Sequence, residues 1–337
     1  MNDDGFYSFH TLLIILFVSI AALSAGTGVS LTIILLNKDT GSREEKTLLQ
    51  NEVSGIIKLF SEDPSPEADS SFDPVWAYID KKRDLYRKLQ LTDISSRINI
   101  NSVHPLFLER TDLKSLLKEG VSLEDFRSIR NRTGPWTCSS REFKSYFRKK
   151  EAVRYFTCFG LMNVNTAYEF SLQKMFQILT GDRGAAEVFH SFIADSLQKK
   201  KLITLDELSS AFETYMPLIS PLIGTEPEMN VNFIPDFILT QVLSYPYGGR
   251  TLKNKSKILE DIFSARNTGE INTAELNTIV KTESKAQEKI FQYLGTKTRF
   301  WRIDIETEKS SASAVVVCIP NTNEYRLYSF SVSPLPY

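Results

Sequence analysis

One short string recurs three times along this 337-residue chain: an apolar residue, an asparagine, an apolar residue, a second asparagine. It reads Ile98-Asn99-Ile100-Asn101-Ser102, then Met162-Asn163-Val164-Asn165-Thr166-Ala167, then Met229-Asn230-Val231-Asn232-Phe233. The first asparagines lie 64 and then 67 residues apart, a period that points to a series of similar structural units. After each string come apolar residues at helical spacing: Leu106, Leu113 and Leu117, then Leu172, Phe176 and Leu179, then Phe237, Leu239 and Leu243. Each unit then offers a second helix start, at Ser139 with Glu142, Thr204 with Glu207, and Asn272 with Glu275. There a short polar side chain can bond the backbone N–H three residues on while the glutamate reaches back. From the second asparagine to that glutamate is 41, 42 and 43 residues in the three units, a regularity unrelated helices would not share.

The apolar residues flanking each first asparagine are expected to enter a core as a short extended segment. The second asparagine, or Ser102 or Thr166 after it, is expected to cap the next helix. Thr166-Ala167-Tyr168-Glu169 itself has the form of a capping box. On this reading Asn99, Asn101, Asn163, Asn165, Thr166, Asn230 and Asn232 are structural devices and not ligands.

Ahead of the repeats, Leu12 to Leu36 is an uncharged run of 25 residues, mostly Leu, Ile, Val, Ala and Phe, where about 20 suffice to span a bilayer. The chain starts Asn2-Asp3-Asp4, without the basic start of a secretory signal. Leu49, Val53, Ile57 and Phe60 then continue at helical spacing, as a stalk emerging from the membrane would. Asp63-Pro64-Ser65-Pro66 through Asp73-Pro74 reads as a linker. At the far end, Phe300 to Ile305 alternates, Val315 to Ile319 is a short buried run, and Tyr325 to Val332 follows a turn, so an antiparallel meander is expected. The fold class is therefore α+β. It comprises a transmembrane helix and stalk at 1–62, a linker and the start of a sheet domain at 63–96, helical repeats at 97–160, 161–228 and 229–295, and a C-terminal meander at 296–337.

Composition narrows the functions. A formal net charge of −1 gives no global field for nucleic acid or anionic lipid. Cys138, Cys158 and Cys318 show no C-x-x-C spacing, which leaves a Cys138–Cys158 bridge as the one pairing to consider. His10, His104 and His190 have no metal-ligand neighbours in sequence. No nucleophile elbow, phosphate-binding glycine loop or zinc motif occurs, so the chain is expected not to be an enzyme.

The string Leu161-Met162-Asn163-Val164-Asn165-Thr166-Ala167, the helix after it, Leu205-Asp206-Glu207-Leu208, and Arg97-Ile98-Asn99-Ile100-Asn101 resemble the helical region of general secretion pathway protein K. This is the large minor pseudopilin family of type II secretion. The resemblance implies a hydrophobic N-terminal helix that packs into a pseudopilus, and a helical region inserted in a small pilin-like sheet. It also implies the I- and J-type minor pseudopilins as partners. It further implies a single-pass place in the bacterial inner membrane with the bulk of the chain periplasmic, and leader cleavage between Gly5 and Phe6. Three features depart from the family: acids precede Gly5, His10 would be the fifth mature residue, and the third asparagine unit is extra. No cofactor is expected from the residues; the family's calcium is implied by resemblance alone, and no Asp and Glu cluster matches its sites.

The same Asn-x-Asn-Thr-Ala grammar is similar to the helix-hairpin-helix domain of ComEA-type competence receptors, which would make the chain a membrane-anchored DNA-binding protein. Such hairpins use a Gly-hydrophobic-Gly turn, and none occurs in the corresponding places here. The feature in its favour runs from Arg127 to Arg154, with nine Lys or Arg against Glu142 and Glu151. Arg141, Lys144, Arg148, Lys149 and Lys150 are the candidate phosphate contacts.

Overall fold

The computed structural model describes residues 43–64, 67–118, 147–148, 150–246, 252, 254–280, 285–319 and 324–334. The apolar run from Leu12 to Leu36, Gly5, Phe6, His10 and Cys138 lie outside them, as do Ser139 and Glu142. Among the described residues no helix is long and apolar enough to cross a membrane.

Helix α1, Arg43–Ser61, turns Leu49, Val53, Ile56 and Phe60 to one side, and all four are buried. They lie on a four-stranded antiparallel sheet of order β1-β8-β9-β10, made of Lys88–Asp93, Phe300–Glu306, Ser310–Cys318 and Tyr325–Pro334. Alternation along the strands decides the two faces. Leu89, Leu91, Trp301, Ile303, Ile305, Ala312, Ala314 and Val316 meet α1, and Phe60 stacks on Trp301 and Tyr325 at ring separations of 5.2 and 4.9 Å. Phe300, Val315 and Val317 point the other way, toward Phe159 and Leu222 from the helical region. Helix α2, Pro74–Lys82, takes proline at its start, where a missing N–H costs nothing. Glu52 of α1 holds it by accepting from Tyr78 Oη at 2.7 Å, and holds the turn beyond it by accepting from Tyr86 Oη at 2.9 Å.

The helical region occupies residues 94–299, between two strands that are neighbours in the sheet, with Lys88 opposite Glu306 and Asp93 opposite Trp301. The edge strand β1 precedes the helical units and the other three strands follow them, so the units are inserted within the sheet.

Each unit is closed by a two-residue parallel bridge. Ile98–Asn99 (β2) pairs with Phe156–Thr157 (β3), Met162–Asn163 (β4) with Ile223–Gly224 (β5), and Met229–Asn230 (β6) with Leu294–Gly295 (β7). Unit 1 contains helix α3, Pro105–Glu109, among its described residues. Unit 2 contains α4, Glu169–Thr180, α5, Arg183–Gln198, α6, Leu205–Ala211, and α7, Met216–Ile219. Unit 3 contains α8, Asp236–Ser244, α9, Lys255–Thr268, α10, Thr273–Val280, and α11, Lys285–Ile290. The units do not each own a core. Units 1 and 3 share one, in which Phe107 stacks on Tyr293 at 5.6 Å and Gln241 Oε1 accepts from the Asp112 N–H at 2.8 Å. Unit 2 has its own, centred on Phe176 and Phe189, whose rings stack at 4.5 Å.

Candidate functional site

The asparagine strings are built alike at atomic detail. Each first asparagine accepts from the backbone N–H of the second through its Oδ1, at 3.0, 2.9 and 2.9 Å, an Asx turn that starts the unit. Its amide then reaches the chain leaving the unit and, for Asn230, also the segment ahead of β1. Asn99 donates to Gly160 O at 3.2 Å, Asn163 to Glu226 O at 2.9 Å, and Asn230 to Asp69 O at 2.8 Å and Thr298 Oγ1 at 3.0 Å. The flanking Ile98, Ile100, Met162, Val164, Met229 and Val231 are buried.

The second asparagine does not cap the following helix. Asn165 accepts from Ile203 N at 2.7 Å and donates to Ile203 O at 3.0 Å, and Asn232 treats Ile271 in the same way at 2.9 and 3.0 Å. Ile203 and Ile271 immediately precede Thr204 and Asn272, whose side chains accept from the N–H groups of Glu207 and Glu275. The constant spacing from asparagine to glutamate has its cause here: one end of the interval is bonded to the residue before the other end's cap. Thr204 and Glu207 form a complete capping box. Thr166 and Glu169 do not, because the Thr166 hydroxyl donates to the Glu228 carboxylate and Tyr168 stands at the N-cap of α4. In unit 1, Asn101 donates to Cys158 O at 3.3 Å, and His104, not Ser102, caps α3 through Nδ1 at 3.1 Å.

Where the linker, the sheet and unit 3 meet, the fold buries a knot of acids. Asp93 ends β1 and accepts from Ser95 N, Ser95 Oγ, Ser96 N and Thr298 Oγ1 at 2.8, 3.0, 2.9 and 2.8 Å, and also from Ser96 Oγ. Burial pushes its pKa up against the pull of these donors. Ser96 Oγ also accepts from Asn230 N at 2.8 Å, which joins the knot to the third asparagine string. Asp69 accepts from Thr298 N at 2.6 Å and Tyr325 Oη at 3.1 Å, with Lys297 Nζ at 3.8 Å. Asp73 accepts from Ser70 N and Oγ at 2.9 and 3.0 Å.

One carboxylate oxygen from each of Asp63, Asp69 and Asp73 lies within 4.8 Å of the other two, and all three residues are buried. Burial raises the pKa of Asp69 to about 6, and burial together with the charges of Asp63 and Asp69 raises that of Asp73 to about 7. The donor set is all oxygen and the charge is concentrated. Two oxygens each about 2.4 Å from one calcium lie no more than about 4.8 Å apart, so the three carboxylates are close enough to supply three of the six to eight oxygens such an ion takes. Asp63, Asp69 and Asp73 come from a stretch whose Pro, Ser and Asp content reads as linker, and the string Asp93-Ile94-Ser95-Ser96, not singled out in the sequence, is the local signal that could have pointed to the knot.

Of the candidate phosphate contacts, Arg141, Lys144 and Lys149 lie outside the described residues, and Lys150 begins a 3-10 turn. Arg148 donates through Nε to Leu117 O at 2.8 Å, which ties it to its own unit.

The fold thus defines a class: an α+β protein with a long helix laid on an antiparallel sheet and helical repeats inserted between adjacent strands. No family model matches the chain, and no curated protein matches it. Among solved structures it is similar to a chain of the GspK-GspI-GspJ complex of the enterotoxigenic Escherichia coli type 2 secretion system, at 11% identity and a TM-score of 0.32. The match covers 86% of this chain and 97% of that one.

Proposed function

We propose that the chain is a non-enzymatic, minor-pseudopilin-like component of type II secretion, anchored in the bacterial inner membrane by residues 12–36 with its bulk in the periplasm. One observation carries this reading. The helix Arg43–Ser61 lies on a four-stranded sheet whose first two neighbouring strands enclose the whole helical region, the arrangement the resembled family implies. The apolar helix would pack into the pseudopilus, and the broad helical region would stop further subunits from adding above it. Its partners would be I- and J-type minor pseudopilins. The test is co-purification of the full chain with those two proteins from the same organism. A ternary complex is expected; recovery of the I- and J-type pair without this chain would overturn the reading.

Within it, Asp63, Asp69 and Asp73 would hold calcium, which supplies positive charge to a buried acidic junction and no chemistry. Calcium at about 100 times its dissociation constant is expected to stabilise the fold by about 2.7 kcal/mol, read as a rise in Tm over the protein in chelator. Asp73→Asn should remove most of that rise. An equal rise in the variant would place the ion elsewhere.

A further inference from the structure

Unit 2 meets units 1 and 3 through polar bonds and not through a shared core. Its own core, built on Phe176 and Phe189, is separate from the one that units 1 and 3 have in common. Leu222 near its exit and Phe159 just ahead of its entry rest on the sheet at Phe300, Val315 and Val317, which holds its base. Beyond that base the joining is done by hydrogen bonds. Tyr168 N donates to Ser102 O of unit 1 at 2.8 Å. The Asn163 and Asn165 amides donate to Gln292 O at 3.0 Å and Gln292 Oε1 at 3.2 Å, on the side of unit 3.

Glu228 stands at this junction, in the exit segment of unit 2 just before β6. It is buried and accepts from the hydroxyl of Thr166, at the entry of the same unit. The phenol of Tyr293, in the turn before β7, lies near enough for the carboxylate charge to raise its pKa. No cation bonds Glu228 among the described residues. The other charged groups here are engaged elsewhere, Glu226 with Arg299, and Glu169 at 4.0 Å from His104 Nε2. Asp93, equally enclosed, collects five donors. A carboxylate held by one hydroxyl has too few bonds to replace its water, so its charged form is stable only where water can enter.

We propose that Glu228 is a proton-operated latch between units 2 and 3. With its proton on, it seats unit 2; once ionised, it draws water into the junction, and unit 2 tilts as one body about its base on the sheet. The direction of titration agrees with this geometry. Burial raises the carboxyl from 4.5 to about 7. A contact made by such a group is complete below the unfolded value and is lost as pH rises through the folded one. The latch is therefore closed near pH 4.5 and loosest above about pH 7. It does not depend on the secretion reading.

Residue-resolved hydrogen exchange on the full chain at pH 5 and 7.5, with each rate divided by the chemical rate at that pH, tests the latch. The Tyr168 amide, bonded across to unit 1, reports the tilt, while Ile193 in α5 and Val316 in β9 report the core of unit 2 and the sheet. Opening at Tyr168 is expected to be about 50-fold greater at pH 7.5 than at pH 5. Ile193 and Val316 should change far less, and Glu228→Gln should remove the difference at Tyr168. A response kept in that variant would assign it to His104, whose ring stands against Tyr168, and would overturn the latch. Equal changes at all three amides would mean that the whole fold loosens, and would overturn it as well. If the variant does not fold, the parent decides alone: no excess at Tyr168 over Ile193 overturns the proposal.

Discussion

Replacing Asp93 with alanine is expected to lower the unfolding free energy by about 3–5 kcal/mol, the range seen when one partner is removed from a buried charged network. The reason is the number of donors involved. Two backbone N–H groups and three hydroxyls, from Ser95, Ser96 and Thr298, converge on this one carboxylate. Alanine leaves them without an acceptor in a place water does not reach, at about 1–3 kcal/mol for each donor that stays unpaired. Asp93→Asn should cost less, because the amide oxygen keeps part of the acceptance while its NH2 faces other donors. Urea unfolding of the full chain and both variants measures this. An Asp93→Ala change below about 1 kcal/mol, the size of an ordinary substitution, would mean that the network does not hold the sheet to the third unit.

Stability is expected to fall as pH rises from 4.5 to 7, and Glu228 supplies a separable part of that fall. Its carboxyl lies buried between units 2 and 3, accepts from the Thr166 hydroxyl, and is pushed by burial to about 7. A carboxyl whose pKa is higher folded than unfolded binds its proton more tightly in the native state. Its contribution is therefore complete below the unfolded value and is lost as pH rises through the folded one. A rise from 4.5 to about 7 corresponds to about 3 kcal/mol at most. Glu228→Gln keeps a neutral side chain at every pH. It should flatten the profile and leave the variant more stable than the parent at pH 8, with little difference at pH 4.5. Tm measured at both pH values for both proteins gives the comparison, and parallel profiles would show that Glu228 is ionised and compensated throughout.

What the sequence made legible was local and periodic. The buried face of α1 and the meander from Phe300 to Val332 announce themselves by spacing, and so does the start of each unit. Strand β1 did not: Lys88-Leu-Gln-Leu-Thr-Asp has two apolar residues, and its partner lies beyond the whole helical region. Thr166 was misread because its local grammar suits a cap while a glutamate 62 residues away takes its hydroxyl. The sharing of a core by units 1 and 3 was also hidden, since three similar strings give no sign of which two will merge. The acidic junction required knowing that Asp63, Asp69 and Asp73 fold back on themselves while Thr298 returns to meet Asp93.

Each unit enters and leaves through two residues that lie side by side in a parallel bridge. A segment closed in this way begins and ends at the same place along the chain's path. Its loss leaves the neighbouring ends within reach of each other, and its duplication displaces nothing upstream or downstream. Unit 2, with a core of its own, is the one that can be gained or lost whole. The length of the helical region can therefore change in steps of one unit over evolutionary time, while the pairing of β1 with β8 stays as it is.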